Sequence, residues 1–440
     1  MSNSSIVLTT LNARYTHTSL GLRCLYANMK ELQSSTKIVE FTINENIQSI
    51  AENLLSLSPK IIGIGSYIWN ATEVAELIKI IKKVAPNTII ILGGPEASYL
   101  PHRVDFSLAN HIISGEGEVS FYELCSDLLK NTFDHPWFIK AKLPDLKSVT
   151  LPYDAYFDED IQHRYIYVEA SRGCPFECEF CLSSIDEKVR NFPLDSLLES
   201  FEILWQKGAR NFKFIDRTFN LNMSFANQIL DFFLSKEPPY FAHFEVIPDH
   251  FPEVLKEKIA LFPPGSLQLE IGIQTLDPDI AKGINRPLKI NKIVENLTFL
   301  ENNTHAHMHL DLIVGLPGET IEGFGKNLDL LYSITKSEIQ IGILKKLSGT
   351  TLSRHDQEHG MIYSDLPPYD ILQNNLLSFQ TIQKMKRFAR FWDIYYNSGN
   401  FPHTMELLFS QKSIFTAFSL FSEWIFNQTL STWKVSFERQ

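Results

Sequence analysis

The sequence predicts an α/β protein in three stretches: a doubly wound parallel-sheet domain, then a partial (β/α)6 barrel of the TIM type, then a helical C-terminal cap. Three observations carry this reading. Short β-branched runs alternate with helical patterns from Ser5 to Leu129, the alternation restarts after a stretch rich in Pro and Asp, and it ends after Gly349. Repeated βα alternation means a parallel sheet covered by helices on both faces.

In the first domain, residues 1–140, the strand patterns are SIVLTTL, KIVEFTI, KIIGIGSYI, TIIILGG and HIISGEGE. Helical patterns such as SLGLRCLYANMKEL and ATEVAELIKIIKKVA lie between them. Such sheets bind ligands in loops beyond the carboxyl ends of the strands, near the point where strand order reverses. Those loops read LNARYTHT (11–18), GSYIWN (65–70), GGPEAS (93–98) and SGEGE (114–118).

Residues 141–162 break the periodicity and are read as a linker. The barrel domain, 163–350, then offers strands at Arg164–Ala170, Asn211–Asp216, Phe241–Ile247, Ser266–Gln274, His307–Gly315 and Glu338–Leu347. Helical segments lie between successive strands, and barrels of this kind place their chemistry at the carboxyl ends of the strands. In 351–440 no strand is expected, and helical spacing covers Ile371–Trp392 and Met405–Trp433.

Composition narrows the function. Of 440 residues, 44% are hydrophobic, enough for several buried cores, and a formal charge of -11 argues against a basic face tracking a phosphate backbone. Nucleic acid is therefore disfavoured as a partner. No run approaches the roughly 18 apolar residues of a membrane span, and Ile6–Leu11 is too short for a signal-peptide core, so a soluble, cytoplasmic chain is expected. Five cysteines in this length exclude a disulfide framework of the secreted type.

The spacing of those cysteines is the informative feature. SRGCPFECEFC places Cys174, Cys178 and Cys181 in a CxxxCxxC loop just after the first barrel strand. An iron-sulfur cube normally takes four cysteines, so a three-cysteine loop leaves one iron open to another ligand. The alternative is zinc held as Cys3His, with His163 or another histidine as the fourth ligand, although structural zinc loops use CxxC pairs and a second pair is absent. Cys24 and Cys125 read as ordinary buried cysteines of helical segments.

With CxxxCxxC after a first barrel strand and Phe180 before its last cysteine, the chain resembles the radical S-adenosylmethionine (SAM) enzymes. Later echoes are FIDRTFN (214–220), HFEVIPD (243–249), LEIGIQT (269–275), DLIVGLPGET (311–320) and LKKLSGT (344–350). The resemblance implies a [4Fe-4S] cluster on Cys174, Cys178 and Cys181, whose open iron is chelated by SAM and whose added electron, from a donor such as flavodoxin or ferredoxin, releases a 5′-deoxyadenosyl radical. The cationic groups of SAM want acceptors, for which Asp216, Glu245 and Glu270 stand at strand ends, and its carboxylate wants a donor, for which Arg217 stands ready. Asn220 belongs to the same strand-end segment. Gly272 and Gln274, with Ile313, Gly315 and Leu316, match the segments that lie along SAM, where glycine permits close backbone approach.

LGGPEAS paired with SGEGE a strand further on resembles the cobalamin-binding (B12-binding) radical SAM subclass, with a Rossmann-like domain ahead of the barrel. In this reading Gly93, Gly94, Pro95 and Glu96 approach the macrocycle of cobalamin. Gly115, Glu116, Gly117 and Glu118 form a tight loop under its nucleotide tail. The opening segment contributes Asn12, Arg14, Tyr15 and Thr18, and GSYIWN contributes Ser66, Tyr67 and Trp69. The cobalt-ligating motif DxHxxG is absent, since His17 lacks an Asp two residues before it.

The resemblance implies methylation of an unactivated carbon in a small-molecule or peptide substrate. Non-methylating radical cyclisation or rearrangement is the alternative within the subclass. A methylthiotransferase needs a second cluster on three N-terminal cysteines, and only Cys24 and Cys125 remain. A non-catalytic cobalamin or cluster carrier sits poorly with an intact CxxxCxxC. The C-terminal region resembles an uncharacterised segment found behind some barrels of this subclass.

Overall fold

The computed structural model describes residues 5–132, 134–410 and 413–433. The chain divides into two compact units, one of residues 1–172, 190–215 and 365–368, the other of residues 173–189, 216–364 and 369–440.

The first unit begins with β1 (Ile6–Asn12), α1 (Leu20–Ala27), β2 (Thr36–Thr42), α2 (Ile47–Ser56), β3 (Ile61–Gly65), α3 (Ala71–Val84), β4 (Ile89–Gly93), β5 (His111–Ser114), α4 (Glu118–Lys130) and β6 (Phe138–Lys140). The strands form a parallel sheet in the order β2-β1-β3-β4-β5-β6. The expected doubly wound domain is therefore present, and β6 is a sixth strand that the sequence pattern did not reveal. Every residue of β1 is buried, as a strand covered on both faces requires. On one face Val7, Ile62, Ile64 and Leu92 pack with Leu54 and Ile78; on the other Ile6, Leu8, Ile91 and Ile113 pack with Leu22 and Phe121. Strand order reverses between β1 and β3, which directs attention to the loops leaving those two strands.

The segment read as a linker is built into this unit, with Tyr153, Tyr156 and Asp160 buried. A buried ion network fixes it: Arg23 of α1 reaches Glu40 at 2.9 Å and Asp160 at 2.7 Å, and lies over the Tyr156 ring. Arg164 pairs with the same two carboxylates. The first two barrel strands, β7 (Ile166–Val168) and β8 (Asn211–Phe214), also belong here and pair in parallel.

The second unit holds β9 (Phe241–Val246), β10 (Leu267–Gln274), β11 (His307–Val314) and β12 (Glu338–Ile343), parallel in sequence order. Helices Glu253–Ala260, Ile290–Asn303 and Ile321–Ile334 follow successive strands. Residues of β10 alternate strictly between buried and half-buried, so Gln268, Glu270, Gly272 and Gln274 share the more open face. All six predicted barrel strands form within the expected segments.

The C-terminal part departs from the sequence expectation: two short strands form where none was expected, and the helical span Met405–Trp433 is interrupted after Leu408 and ends at Thr429. Residues 371–378 are not helical: Ile371–Gln373 forms a short strand antiparallel to Ile362–Tyr363, and the helix begins only at Phe379, capped by Ser378. Helical periodicity cannot separate a short buried strand from a helix start when both read as apolar residues with polar spacers. Helices Phe379–Trp392, Pro402–Leu408 and Ile414–Thr429 then build the expected aromatic cap, with Phe388, Trp392 and Phe418 at its centre. Gly325 has no room for a side chain, because a Cβ there would stand 2.5 Å from the Phe415 ring. That close approach seats the last helix on helix Ile321–Ile334.

Glu319, buried after β11, accepts hydrogen bonds from Thr275 and Asn327, yet burial pushes its carboxyl up to about 8. The unfolded chain ionises it near 4.5, so the fold is penalised progressively as pH rises from 4.5 to 8 and in full above that. Thermal melts from pH 5 to 9 should show Glu319→Gln gaining stability relative to the wild type with rising pH; parallel curves would refute this assignment.

Candidate active site

In the second unit the CxxxCxxC loop opens on a cavity of about 270 Å3 that all three cysteines line. Gly173 turns the chain into this loop at φ +88°, and a Cβ there would stand 2.3 Å from the Lys188 carbonyl oxygen. Only glycine fits such a left-handed, backbone-crowded position. Cys174 and Cys178 are buried and Cys181 is half-buried. Burial pushes the Cys174 thiol up, as do the two neighbouring thiols. Such a trio favours a metal that shares out the thiolate charge.

Among the described residues no three His, Cys, Asp or Glu side chains are disposed to hold a metal ion. A Cys3His zinc centre needs four donors converging on one ion. Three cysteines and no histidine line this cavity, a lining short of the fourth zinc donor and matched to a cluster whose ligands each bind a different iron.

Of the residues expected to bind SAM, Phe180, Arg217, Glu245, Glu270, Gly272 and Gln274 line the same cavity. Their pairing was not foreseen. Arg217 donates to both carboxylate oxygens of Glu245, at 2.8 and 2.9 Å, so the expected donor and one expected acceptor engage each other. Burial opposes ionisation of Glu270, but hydrogen bonds from His243 and His309 prevail and hold its carboxyl well below the usual range. Gln274 adopts φ 69°, a left-handed conformation costly for a residue with a side chain. Its amide lies where a Cβ on Gly272 would be, at 2.7 Å.

A second cavity of about 290 Å3 shares Phe180, Glu270, Gln274 and Asp311 with the first and adds Ile313 and Gln340. Asp311 is the group that sequence reasoning missed, although DLIVGLPGET contains it. Burial, reinforced by the charge of Glu270, pushes its carboxyl up to about 7. Arg286 was also missed: it faces the first cavity, with Nη1 3.4 Å from Cys178 Sγ and Nη2 donating to the Gly272 carbonyl.

Four expected residues do not line either cavity. Asp216 and Leu316 are buried. Asn220 is consumed in backbone bonding, donating to Ile247 O and His250 O and accepting from Ile247 N–H. Gly315 has φ +96° and a Cβ there would meet Ile371 at 2.8 Å, so it serves chain packing.

The first unit holds a separate cavity of about 440 Å3, reached by the carboxyl ends of β3, β4 and β5. Tyr67, Gly93, Gly94 and Pro95 line it, as do Gly115, Glu116, Gly117 and Glu118. Gly63 and Gly65, inside the KIIGIGSYI run but not singled out, also line it. Across the sheet Gly63 stands beside Ile91 and Gly65 beside Gly93, so small residues two apart open one face of two adjacent strands. A Cβ on Gly63 would approach Phe121 within 2.8 Å. Arg172 forms a charged corner, pairing with Glu116 at 2.6 Å, Glu118 at 2.7 Å and Glu169 at 2.6 Å. Cys24 also faces this corner, its thiol raised well above its usual range by burial and then by Glu169.

Seven expected residues of this unit stay off the cavity wall. Arg14 and Tyr15 are exposed, and Tyr15 bonds Glu159. Asn12 bonds His17 O and Glu40, and Thr18 bonds Tyr165 O. Trp69 stacks on Tyr67 at 4.5 Å and bonds Leu11 O, while Ser66 and Glu96 are buried. His17 lies 2.6 Å from the Tyr167 hydroxyl through Nδ1, its pKa lowered by burial and by Lys213 and Arg14; it too is absent from the wall.

Three family models match successive parts of the chain, and the second of them crosses both units. The family model described as "B12 binding domain" matches residues 6–125, "Radical SAM superfamily" matches 168–331, and "Protein of unknown function (DUF4080)" matches 357–435. An uncharacterized methyltransferase of Pyrococcus horikoshii is 25% identical over 71% of this chain and 74% of its own length. The cobalamin-dependent radical SAM methyltransferase TokK of Streptomyces tokunonensis is 23% identical over 71% of this chain, which spans half of TokK's length. The solved structure of the cobalamin-dependent SAM radical enzyme OxsB, with aqua-cobalamin and SAM bound, superposes with a TM-score of 0.68 at 14% identity, covering 99% of this chain and 74% of that one. This chain thus carries a B12-binding domain followed by a radical SAM domain.

Proposed function

We propose that this protein is a cobalamin-dependent radical SAM methyltransferase acting on an unactivated carbon of a small-molecule or peptide substrate. The observation that carries the reading is the pair of cavities of opposite character. One unit offers three thiols beside carboxylates and backbone, and the other offers an apolar, glycine-floored cavity with a charged corner. TokK and the P. horikoshii relative, both named methyltransferases, support methyl transfer.

In this reading Cys174, Cys178 and Cys181 hold a [4Fe-4S] cluster, and the first cavity and its neighbour hold SAM. When bound, the cluster supplies an electron to SAM, and cobalamin carries a methyl group. The chain's own groups orient and insulate. Glu270, kept ionised by His243 and His309, faces cationic groups of SAM, whereas Asp311 stands at the boundary of the two cavities and can hold or release a proton near neutral pH. Arg217 and Glu245 neutralise one another, so a carboxylate arriving at Arg217 competes with Glu245. Phe180 and Gly272 would line the cavity in which SAM meets the cluster. Gly93, whose nearest neighbour to a Cβ is Ile113 O at 3.7 Å, leaves room for the corrinoid. A flavodoxin- or ferredoxin-type donor supplies the electron.

The test is direct. Anaerobically reconstituted protein is exposed to hydroxocobalamin and freed of unbound ligand; near-stoichiometric retention supports the reading, and none retained beside an intact cluster refutes the cobalamin half. On reduction with SAM present, both 5′-deoxyadenosine and S-adenosylhomocysteine should form. The former without the latter refutes methyl transfer.

A further inference from the structure

Between Cys178 and Cys181 sits Glu179, a carboxylate only 2% exposed. A charge buried so deeply is tolerated only with partners. Its Oε1 accepts from Arg354 Nη2 at 2.7 Å, and its Oε2 lies 2.6 Å from His355 Nε2. The Glu179 N–H donates to Ile284 O at 3.2 Å, and Arg354 Nη2 also donates to Gly283 O at 2.9 Å. Three segments are thus tied at one carboxylate: the cysteine loop, the 283–286 turn that carries Arg286, and the turn Thr351–His355 at the head of the C-terminal region.

The cysteine spacing by itself does not require an acid at this position. An exposed Glu would serve an unconstrained loop equally well. What the arrangement achieves is a fixed pair of opposite charges at the loop, one on the loop itself and the other supplied from residue 354. Fixed charges near a cluster set its reduction potential, because reduction adds an electron that nearby anions oppose and nearby cations favour.

We propose that Glu179 and Arg354 are positioning residues which lock the Cys178–Cys181 limb and set the reduction potential of the cluster by charges of opposite sign, so that the C-terminal region tunes the radical chemistry of the barrel. This rests on the cluster assignment above. Iron and sulfide analysis of the wild type therefore comes first: an iron-free wild type after reconstitution defeats the cluster assignment itself, and the inference with it.

With the cluster present, potentiometric EPR titration of anaerobic full-length protein decides the inference. Glu179→Gln keeps the shape and an acceptor but removes the negative charge, so the potential should rise. Arg354→Gln removes the positive charge from a half-exposed side chain, where refolding risk is small, and the potential should fall. Arg354→Lys should bring it back toward the wild-type value. A merely structural role would lower cluster content in both variants without moving the potential of the remaining clusters in opposite directions. That result, equal shifts of one sign, or no shift in Arg354→Gln would each overturn the inference. Should Glu179→Gln fail to fold, the Arg354 pair of variants carries the test alone.

Discussion

Replacing Cys174, Cys178 and Cys181 together by Ala is expected to remove the cluster entirely and to abolish 5′-deoxyadenosine formation, a loss beyond about a thousandfold if thiolate ligation is the sole anchor of the iron. The three sulfurs share one cavity, and among the described residues no other cysteine lines it. Cys24 faces the separate cavity of the first unit, and Cys125 is buried in α4. Neither can substitute, so iron content should fall to background while the fold persists, because the cysteine loop packs around a cavity rather than inside a dry core. Absorbance of the charge-transfer bands, iron analysis and circular dichroism measure all three quantities. Cluster retained at half or more of the wild-type level would mean that other ligands hold the iron.

Gly93→Leu is expected to weaken cobalamin retention by about a hundredfold while leaving the domain folded. Gly93 sits on the cavity side of β4, two residues beyond Ile91, and the nearest atom to a Cβ there is Ile113 O at 3.7 Å, an ordinary contact. Its φ is not in the left-handed region, so the backbone tolerates a side chain. A leucyl group then occupies space in the 440 Å3 cavity, and overlap of that kind removes binding without unfolding the scaffold. Gly94→Ala makes the contrast: a Cβ at Gly94, with φ +96°, would stand 2.4 Å from Ser66 O, so that variant should lose stability first. Corrinoid retention after gel filtration, set beside the thermal midpoint of each variant, separates the two effects. Unchanged retention in Gly93→Leu would place the corrinoid elsewhere.

The cysteine loop was legible because three thiols at CxxxCxxC spacing are informative in themselves, whatever the fold around them. Strand positions were legible because β3 and β4 are continuous runs of apolar residues and glycine, the mark of strands buried on both faces, and β1 is rich in apolar and β-branched residues. Less was readable where an assignment depended on the direction of a side chain. Asn220 and Asp216 lie within one short motif after β8, and their amide and carboxylate looked as useful as Arg217; only the fold turns Asn220 onto the backbone of 247–250. Gly315 looked like a ligand-approach glycine, and its reason is the nearby Ile371 side chain. The strand at 371–373 escaped notice because three residues carry no measurable period.

By itself the sequence determined the order of elements, the parallel sheets, the three-cysteine loop and the glycine-rich strand ends, since each is a local pattern whose physical cause acts within a few residues. Tertiary structure alone decided which charges meet. Arg286 approaches Cys178 across 108 positions, Glu179 finds His355 across 176, and Arg172 collects Glu116, Glu118 and Glu169 around a single guanidinium. Such pairings follow from how distant segments pack, and the energy of a buried charge depends on the partners that packing brings within reach.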